Sequence, residues 1–258
     1  MSITQVKSRV GNFTSSGIVA LMASNRKGDG FGDAAMTYIT EKKFERLLCC
    51  SLDTETDARA TSWGKLMEQY VFDEVLDTSY TITSQVTDDH PTIPIWRGSK
   101  DGTHEAETSD LKAVIDIKCP FTRKAYMELI IALHLGYTGM EAINAIRFGF
   151  THNGYNYPKH KSGEKYYFQL VSNAVINACK YAELVVFMPK VSELLKIKNW
   201  SIDRPDAKFL DYMSDEQIPC IPDESEIKNH YVIRFEVPQS DIDLLTERVK
   251  QGEQLLIL

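Results

Sequence analysis

The chain has no Cys-x-x-Cys pair, and its cysteines are odd in number: five, at positions 49, 50, 119, 179 and 220. That spacing supports neither a disulfide framework nor a zinc site. Cys119 and Cys179 lie in apolar periodic segments, where a reduced cysteine behaves as a small hydrophobe. Long apolar runs are also lacking. The longest, Leu129 to Leu135, is broken by His134 and is far too short for a bilayer span, so no membrane partner is expected. Residues Met1 to Lys7 lack the basic, apolar and small-residue zones of a secretory signal, and a cytoplasmic protein is expected. No repeat, low-complexity tract or Pro/Gly/Ser-rich linker divides the 258 residues, which favours a single domain over residues 1–258. Positive charge is in deficit. A formal net charge of −7 and a pI near 5.4 exclude a protein that coats nucleic acid non-specifically. They leave room for a carboxylate-rich site served by local basic clusters, for which Arg26 and Lys27, Arg123 and Lys124, and Lys159, Lys161 and Lys165 are candidates.

What is present is an α/β pattern. Thr14, Ser15 and Ser16 offer an N-cap to a short helix through Met22, followed by a loop from Ser24 to Gly32. Helical periodicity covers 33–48 and about 57–76, the second carrying Trp63, Met67, Tyr70, Phe72 and Val75. β-Branched runs at 81–86 and 93–96 predict strands around a turn at Asp88 to Pro91. A strand through Asp116 precedes helices at 124–135, 140–146 and about 165–181. A strand at 184–188 follows. Residues 192–226 carry little signal and read as an irregular excursion, before a strand at 231–237 and a helix at 240–255 capped by Ser240. Helices and strands in this order predict a mixed sheet with helical layers.

The chemistry concentrates in Val-Ile-Asp-Ile-Lys-Cys-Pro-Phe, residues 114–121. A strand sends alternate side chains to one face, so Asp116 and Lys118 project together while Ile115, Ile117 and Cys119 pack behind them. Phosphodiester hydrolysis uses such a pair, because hard oxygens hold Mg²⁺ and a neighbouring cation or base positions the attacking water. Three other features join it. Trp63-Gly64-Lys65 with Glu68 puts a carboxylate one turn beyond a glycine, and the missing side chain at 64 is expected to let another backbone approach. Asp110 and Thr108 share strand parity, while Glu105 and Glu107 point the other way. Gln169, Asn173 and Asn177 form a polar stripe at spacing four, opposite Tyr167, Val171 and Ala174.

In order and texture these blocks resemble the phage lambda exonuclease branch of the PD-(D/E)xK nuclease superfamily, the YqaJ-like viral recombinases. The resemblance spans residues 13–189, through Phe13-Thr14-Ser15-Ser16, Met36-Thr37-Tyr38, Ala60 to Glu68, Asp116 to Thr122, and Tyr167-Phe168-Gln169. Residues 190–258 would form a C-terminal extension. The resemblance implies a restriction-endonuclease-like core of mixed α/β sheet with flanking helices, and a Mg²⁺- or Mn²⁺-dependent 5′-to-3′ exonuclease on linear double-stranded DNA. Such an enzyme would make 3′ single-stranded tails for phage recombination, as a homotrimer around DNA ends with a single-strand annealing protein as partner. It implies that Asp110, Asp116, the Ile117 carbonyl and Glu68 hold the metal and that Lys118 orients and deprotonates water. It also implies that Arg26, Thr37, Thr108 and Gln169 bind the terminal 5′-phosphate.

The sequence departs from the family at several points. Asp116 stands where close members carry glutamate, and Ser109 replaces a proline. The short loop before Asp116 leaves Glu107 or Glu105 as alternatives to Asp110. The segment between Lys118 and Gln169 is longer than usual. An endonuclease or junction-cutting enzyme on the same core, and a non-catalytic DNA-end-binding protein, remain as alternatives.

Overall fold

The computed structural model describes residues 9–28, 30–52, 59–83, 86–105 and 112–257. A five-stranded mixed sheet forms its centre. Its strands are β2 (Tyr80–Ile82), β5 (Gly102–His104), β6 (Ala113–Lys118), β9 (Tyr181–Phe187) and β10 (His230–Glu236), in the order β10-β9-β6-β5-β2. β6 and β9 run parallel, with Asp116 opposite Leu184, and every other neighbour is antiparallel. The parallel pair requires a long crossover. It is made by helices α3 (Arg123–His134), α4 (Gly139–Phe148) and α5 (Gly163–Ile176), with a hairpin of β7 (Phe150–His152) and β8 (Tyr155–Tyr157) between the last two. A smaller sheet joins β1 (Phe13–Thr14), β4 (Trp96–Gly98) and β3 (Asp88–Asp89).

The two central strands are buried on both sides, so each face of the sheet has its own core. Val114, Leu184, Val186, Ile233 and Phe235 face one way, against α3, α4, α5 and the last helix, α7 (Gln239–Leu256). Ile117, Val185 and Phe187 face the other way. They pack on Trp63, Leu66, Met67 and Tyr70 of α2 (Arg59–Glu74), and on residues 194–220, which include α6 (Leu194–Ser201). The weakly patterned 192–226 segment is therefore a run of short helices that seals a core face through Leu194, Ile197, Leu210 and Met213. β10 pairs with β9 along seven residues, and Leu245, Val249 and Leu256 of α7 are buried.

Several boundaries differ from expectation. Thr14 belongs to β1, and Gly17 precedes the 3-10 turn at Ile18–Met22. Asp88 and Asp89 pair with Gly98 and Arg97 instead of forming the turn, which moves to the residues after them. α5 stops at Ile176, five residues early, because Ala178 takes a left-handed φ of 50° and the Cys179 amide donates to Ala174 O. That pairing is the helix-ending Schellman motif, here without its usual glycine. Pro238, not Ser240, precedes the first turn of α7.

Candidate active site

β6 delivers Asp116 and Lys118 to one face, as their spacing predicts. Asp116 is completely buried, at 0% exposure. Its Oδ1 accepts a hydrogen bond from Gln169 Nε2 of α5 at 2.7 Å, and its Oδ2 lies 2.5 Å from Lys118 Nζ. Among the described residues, Oδ2 has no hydrogen-bond partner beside that ion pair. Lys118 in turn lies under the Tyr166 ring, 5.0 Å from its centroid, a cation–π contact.

The sequence did not single out Asp101, yet it completes this cluster. It stands just before β5, where its amide donates to Ile115 O at 3.1 Å and its Oδ2 accepts from Ile117 N at 2.6 Å. Both bonds clamp it beside the segment carrying Asp116 and Lys118. The turn ahead of it is held by the amide stripe of α5. Asn173 Nδ2 donates to Ser99 O at 3.2 Å, and Lys100 Nζ donates to Asn177 Oδ1 and Asp88 Oδ2, each at 2.6 Å. The stripe is thus a brace inside the molecule. Gly98 makes the approach possible, because a Cβ there would meet Asn173 Oδ1 at 2.4 Å. The available sequence signal was Asp101-Gly102, an acid and a glycine at a turn into a strand. Gly102 is required there, since a Cβ would lie 2.4 Å from Thr81 O.

Glu68 faces the cluster from α2. Burial, and after it the Asp116 carboxylate, pushes Glu68 up to about 7 against the opposing pull of Lys118 and Lys65. Although part of Asp101 reaches solvent, burial followed by repulsion from Asp116 and Glu68 raises its pKa well above the usual range. Burial works against charge on Lys118, but Asp116 and Asp101 outweigh it and hold the ammonium more firmly protonated than a free lysine. Burial also raises the Cys119 thiol, which leaves it inert. A cavity of about 530 Å³ opens onto Glu68 and Lys118, walled by Gly64, Phe121, Thr122, His160, Lys161 and Tyr166 among others. Among the described residues no group outside the helix comes within 4 Å of where a Gly64 side chain would start, so that glycine opens the cleft and admits no described neighbouring backbone.

Among the described residues, no three histidine, cysteine, aspartate or glutamate side chains close around one point. The donor set nevertheless fits a hard divalent cation. It consists of carboxylate oxygens on three mutually repelling acids, which are answered by Lys118 and, at Glu68, also by Lys65, and Asp116 Oδ2 is buried with the Lys118 ion pair beside it. Magnesium is held in this way by one or two carboxylates and keeps several of its own waters.

Of the described residues expected to bind a 5′-phosphate, Gln169 alone reaches the cluster, and its amide is engaged by Asp116. Arg26 is exposed on the turn capped by Asn25, and Thr37 is exposed on α1 (Asp33–Leu48). Asp110, Thr108 and the alternative Glu107 lie outside the described residues. Glu105 is exposed at the far end of β5, where it pairs with Lys112 at 2.7 Å.

No family model matches the chain, and no curated protein matches it by sequence. Solved structures do. The alkaline exonuclease LHK-Exo from Laribacter hongkongensis superposes with a TM-score of 0.55 at 16% identity, covering 99% of this chain and 92% of that one. Its complex with dAMP gives a TM-score of 0.56 at the same identity and coverage. A phage-related exonuclease from Haemophilus somnus 129PT gives 0.55 at 12% identity, covering 95% and 93% of the two chains. The mixed sheet with flanking helices implied by the sequence resemblance is the fold shared with these proteins.

Proposed function

We propose that this chain is a metal-dependent deoxyribonuclease, an exonuclease that degrades linear double-stranded DNA from its 5′ ends and leaves 3′ single-stranded tails. The observation that carries the reading is the clamp of Asp101 onto the Ile117 amide, which sets a second carboxylate beside Asp116 and Lys118 at the end of one strand. The fold shared with two exonucleases supports the same conclusion. Asp101 and Asp116, with the Ile117 carbonyl and Glu68, would hold Mg²⁺ or Mn²⁺. Bound there, the ion would neutralise the acids and polarise the scissile phosphate.

The protein's own groups do the remaining work. Lys118, steadied by Asp116 and the Tyr166 ring, presents a cation to the phosphate and orients the attacking water. Gln169 fixes the Asp116 carboxylate in rotation. Asn173 and Asn177 hold the turn that delivers Asp101. Asp101 is preferred to Asp110 as first ligand because its contacts point it at this strand. The 5′-phosphate roles of Arg26, Thr37 and Thr108, the homotrimer and the annealing partner rest on the sequence resemblance alone.

A Mg²⁺-dependent time course on three DNAs of one sequence tests the proposal: linear with 5′-phosphates, linear with 5′-hydroxyls, and a closed circle. Release of mononucleotides from linear DNA with the circle intact is the expected result. A nicked circle would replace this reading with an endonuclease, and DNA retained without products would replace it with an end-binding protein.

A further inference from the structure

The longer segment between Lys118 and Gln169 builds a feature that the catalytic cluster does not use. β7 and β8 form a tight hairpin in which Phe150 pairs with Tyr157 and His152 with Tyr155, across a two-residue loop of Asn153 and Gly154. Both loop residues have positive φ, 49° and 80°, the type I′ geometry that matches strand twist. Phe150 and Tyr157 stack at 4.6 Å, and Tyr137 packs on Phe150 and bonds His152 through its hydroxyl at 3.3 Å. The base of the hairpin is therefore firm, while Tyr155 at its tip is 72% exposed.

Charge is segregated here as well. No acidic residue occurs between Glu141 and Glu164, in a chain that carries 36 of them. Beyond β8 the chain continues without regular structure through exposed Lys159 and buried His160 to exposed Lys161 in a turn, and exposed Lys165 follows Glu164 in the first turn of α5. His160 and Lys161 are part of the cavity wall that also holds Glu68 and Lys118. An exposed aromatic ring at the tip of a packed hairpin, a following lysine-bearing segment whose own sequence holds no acid, and direct continuity with the cleft occur in one stretch of chain.

We propose that this hairpin and the segment that leads from it into α5 form a contact for an unpaired DNA strand beside the cleft, with Tyr155 stacking on a base and Lys159 and Lys165 on phosphates. A tyrosine ring can stack only where a base face is open, which selects single-stranded or frayed DNA over the interior of a duplex. Lysines release counterions from the backbone and add salt-dependent affinity without sequence preference. The inference rests on the proposed nuclease reading, and its test separates the two.

Anisotropy of labelled DNA in chelator, where the proposed reaction cannot proceed, is measured on a blunt duplex and on one with a 3′ single-stranded tail. Tyr155→Ala is expected to weaken the tailed duplex about tenfold and the blunt one less, with Tyr155→Trp restoring affinity. Lys159→Glu with Lys165→Glu is expected to flatten the dependence of log affinity on log salt by ~0.7 per lysine. Tyr212→Ala, at an exposed tyrosine on the 3-10 turn Pro205–Tyr212, serves as the unaffected control. Unchanged affinity and slope in the hairpin variants, with wild type binding normally, would overturn the inference and leave the nuclease reading intact. Loss of affinity accompanied by dissociation of an oligomer would overturn it in favour of contact between copies of the chain. Wild type that binds tailed DNA in this way but does not cut with Mg²⁺ would overturn the nuclease reading alone, and wild type that neither binds nor cuts would overturn both.

Discussion

Asp101 Oδ2 accepts a hydrogen bond from the Ile117 amide at 2.6 Å, across the two strands that meet at the cleft. Ile117 lies between Asp116 and Lys118, so this bond places Asp101 beside two charged side chains whose own spacing β6 sets. Sixteen residues of sequence separation are closed by strand pairing, with Gly102 opposite Ile115.

Lys118 is the cation beside Asp116. Lys118→Ala is expected to abolish turnover while DNA-end binding persists. It also leaves the buried Asp116 without its partner, a loss on the order of 3 kcal/mol, part of which Mg²⁺ should restore. Thermal unfolding with and without Mg²⁺, alongside a cleavage assay, checks both statements; turnover at the wild-type rate would remove Lys118 from the chemistry.

At Gly98 of β4, α5 packs tightly on the smaller sheet. A Cβ added there would lie 2.4 Å from Asn173 Oδ1, 2.5 Å from Ser15 Oγ and 2.8 Å from Ile176 Cδ1. Gly98→Ala is expected to cost about 1–3 kcal/mol by overpacking. Because Asn173 also holds Ser99 O, the variant should need more Mg²⁺ for half-maximal activity. A denaturant titration and a metal titration read the two effects, and an unshifted metal requirement would separate the brace from Asp101.

Glu68 sets a pH dependence. Its ordinary pKa of 4.5 is raised to about 7, so the folded protein binds a proton that the unfolded chain gives up. The resulting stability is complete below 4.5 and is lost as pH rises through about 7. Asp101, also raised, adds in the same direction. In chelator the melting temperature is expected to fall across that window, less steeply in Glu68→Gln. Stabilisation by Mg²⁺ should grow over the same window, because the ligating carboxylates must be unprotonated. Parallel wild-type and Glu68→Gln curves would contradict the assignment.

The elements with strong periodicity were legible in the sequence: α1, the body of α2, and the strand that holds Asp116 and Lys118 on one face. So was the polar stripe of α5, although not its task, since nothing local to Gln169, Asn173 and Asn177 says that they brace Asp116 and the 99–101 turn. Asp101 was missed for the same reason. Its position beside Asp116 comes from a pairing between β5 and β6 that has no short-range signature, whereas Asp110, outside the described residues, was singled out by nearness to Asp116, strand parity with Thr108 and the family resemblance. Residues 194–220 looked irregular because their short helices bury scattered side chains such as Leu194, Ile197 and Met213 against the sheet and leave no long period. The Asn153-Gly154 hairpin did carry a local signal, the turn pair itself, between short strands of three residues each.

The central claim is that Asp101 and Asp116 form the metal-binding pair of a nuclease. Its most direct test is Asp101→Asn, which keeps the shape and the acceptor for the Ile117 amide while removing the charge, with Mn²⁺ binding followed by calorimetry and nucleotide release from linear duplex DNA followed in parallel. Loss of both Mn²⁺ binding and nucleotide release in a folded protein is the expected result; wild-type Mn²⁺ affinity and release would contradict the account.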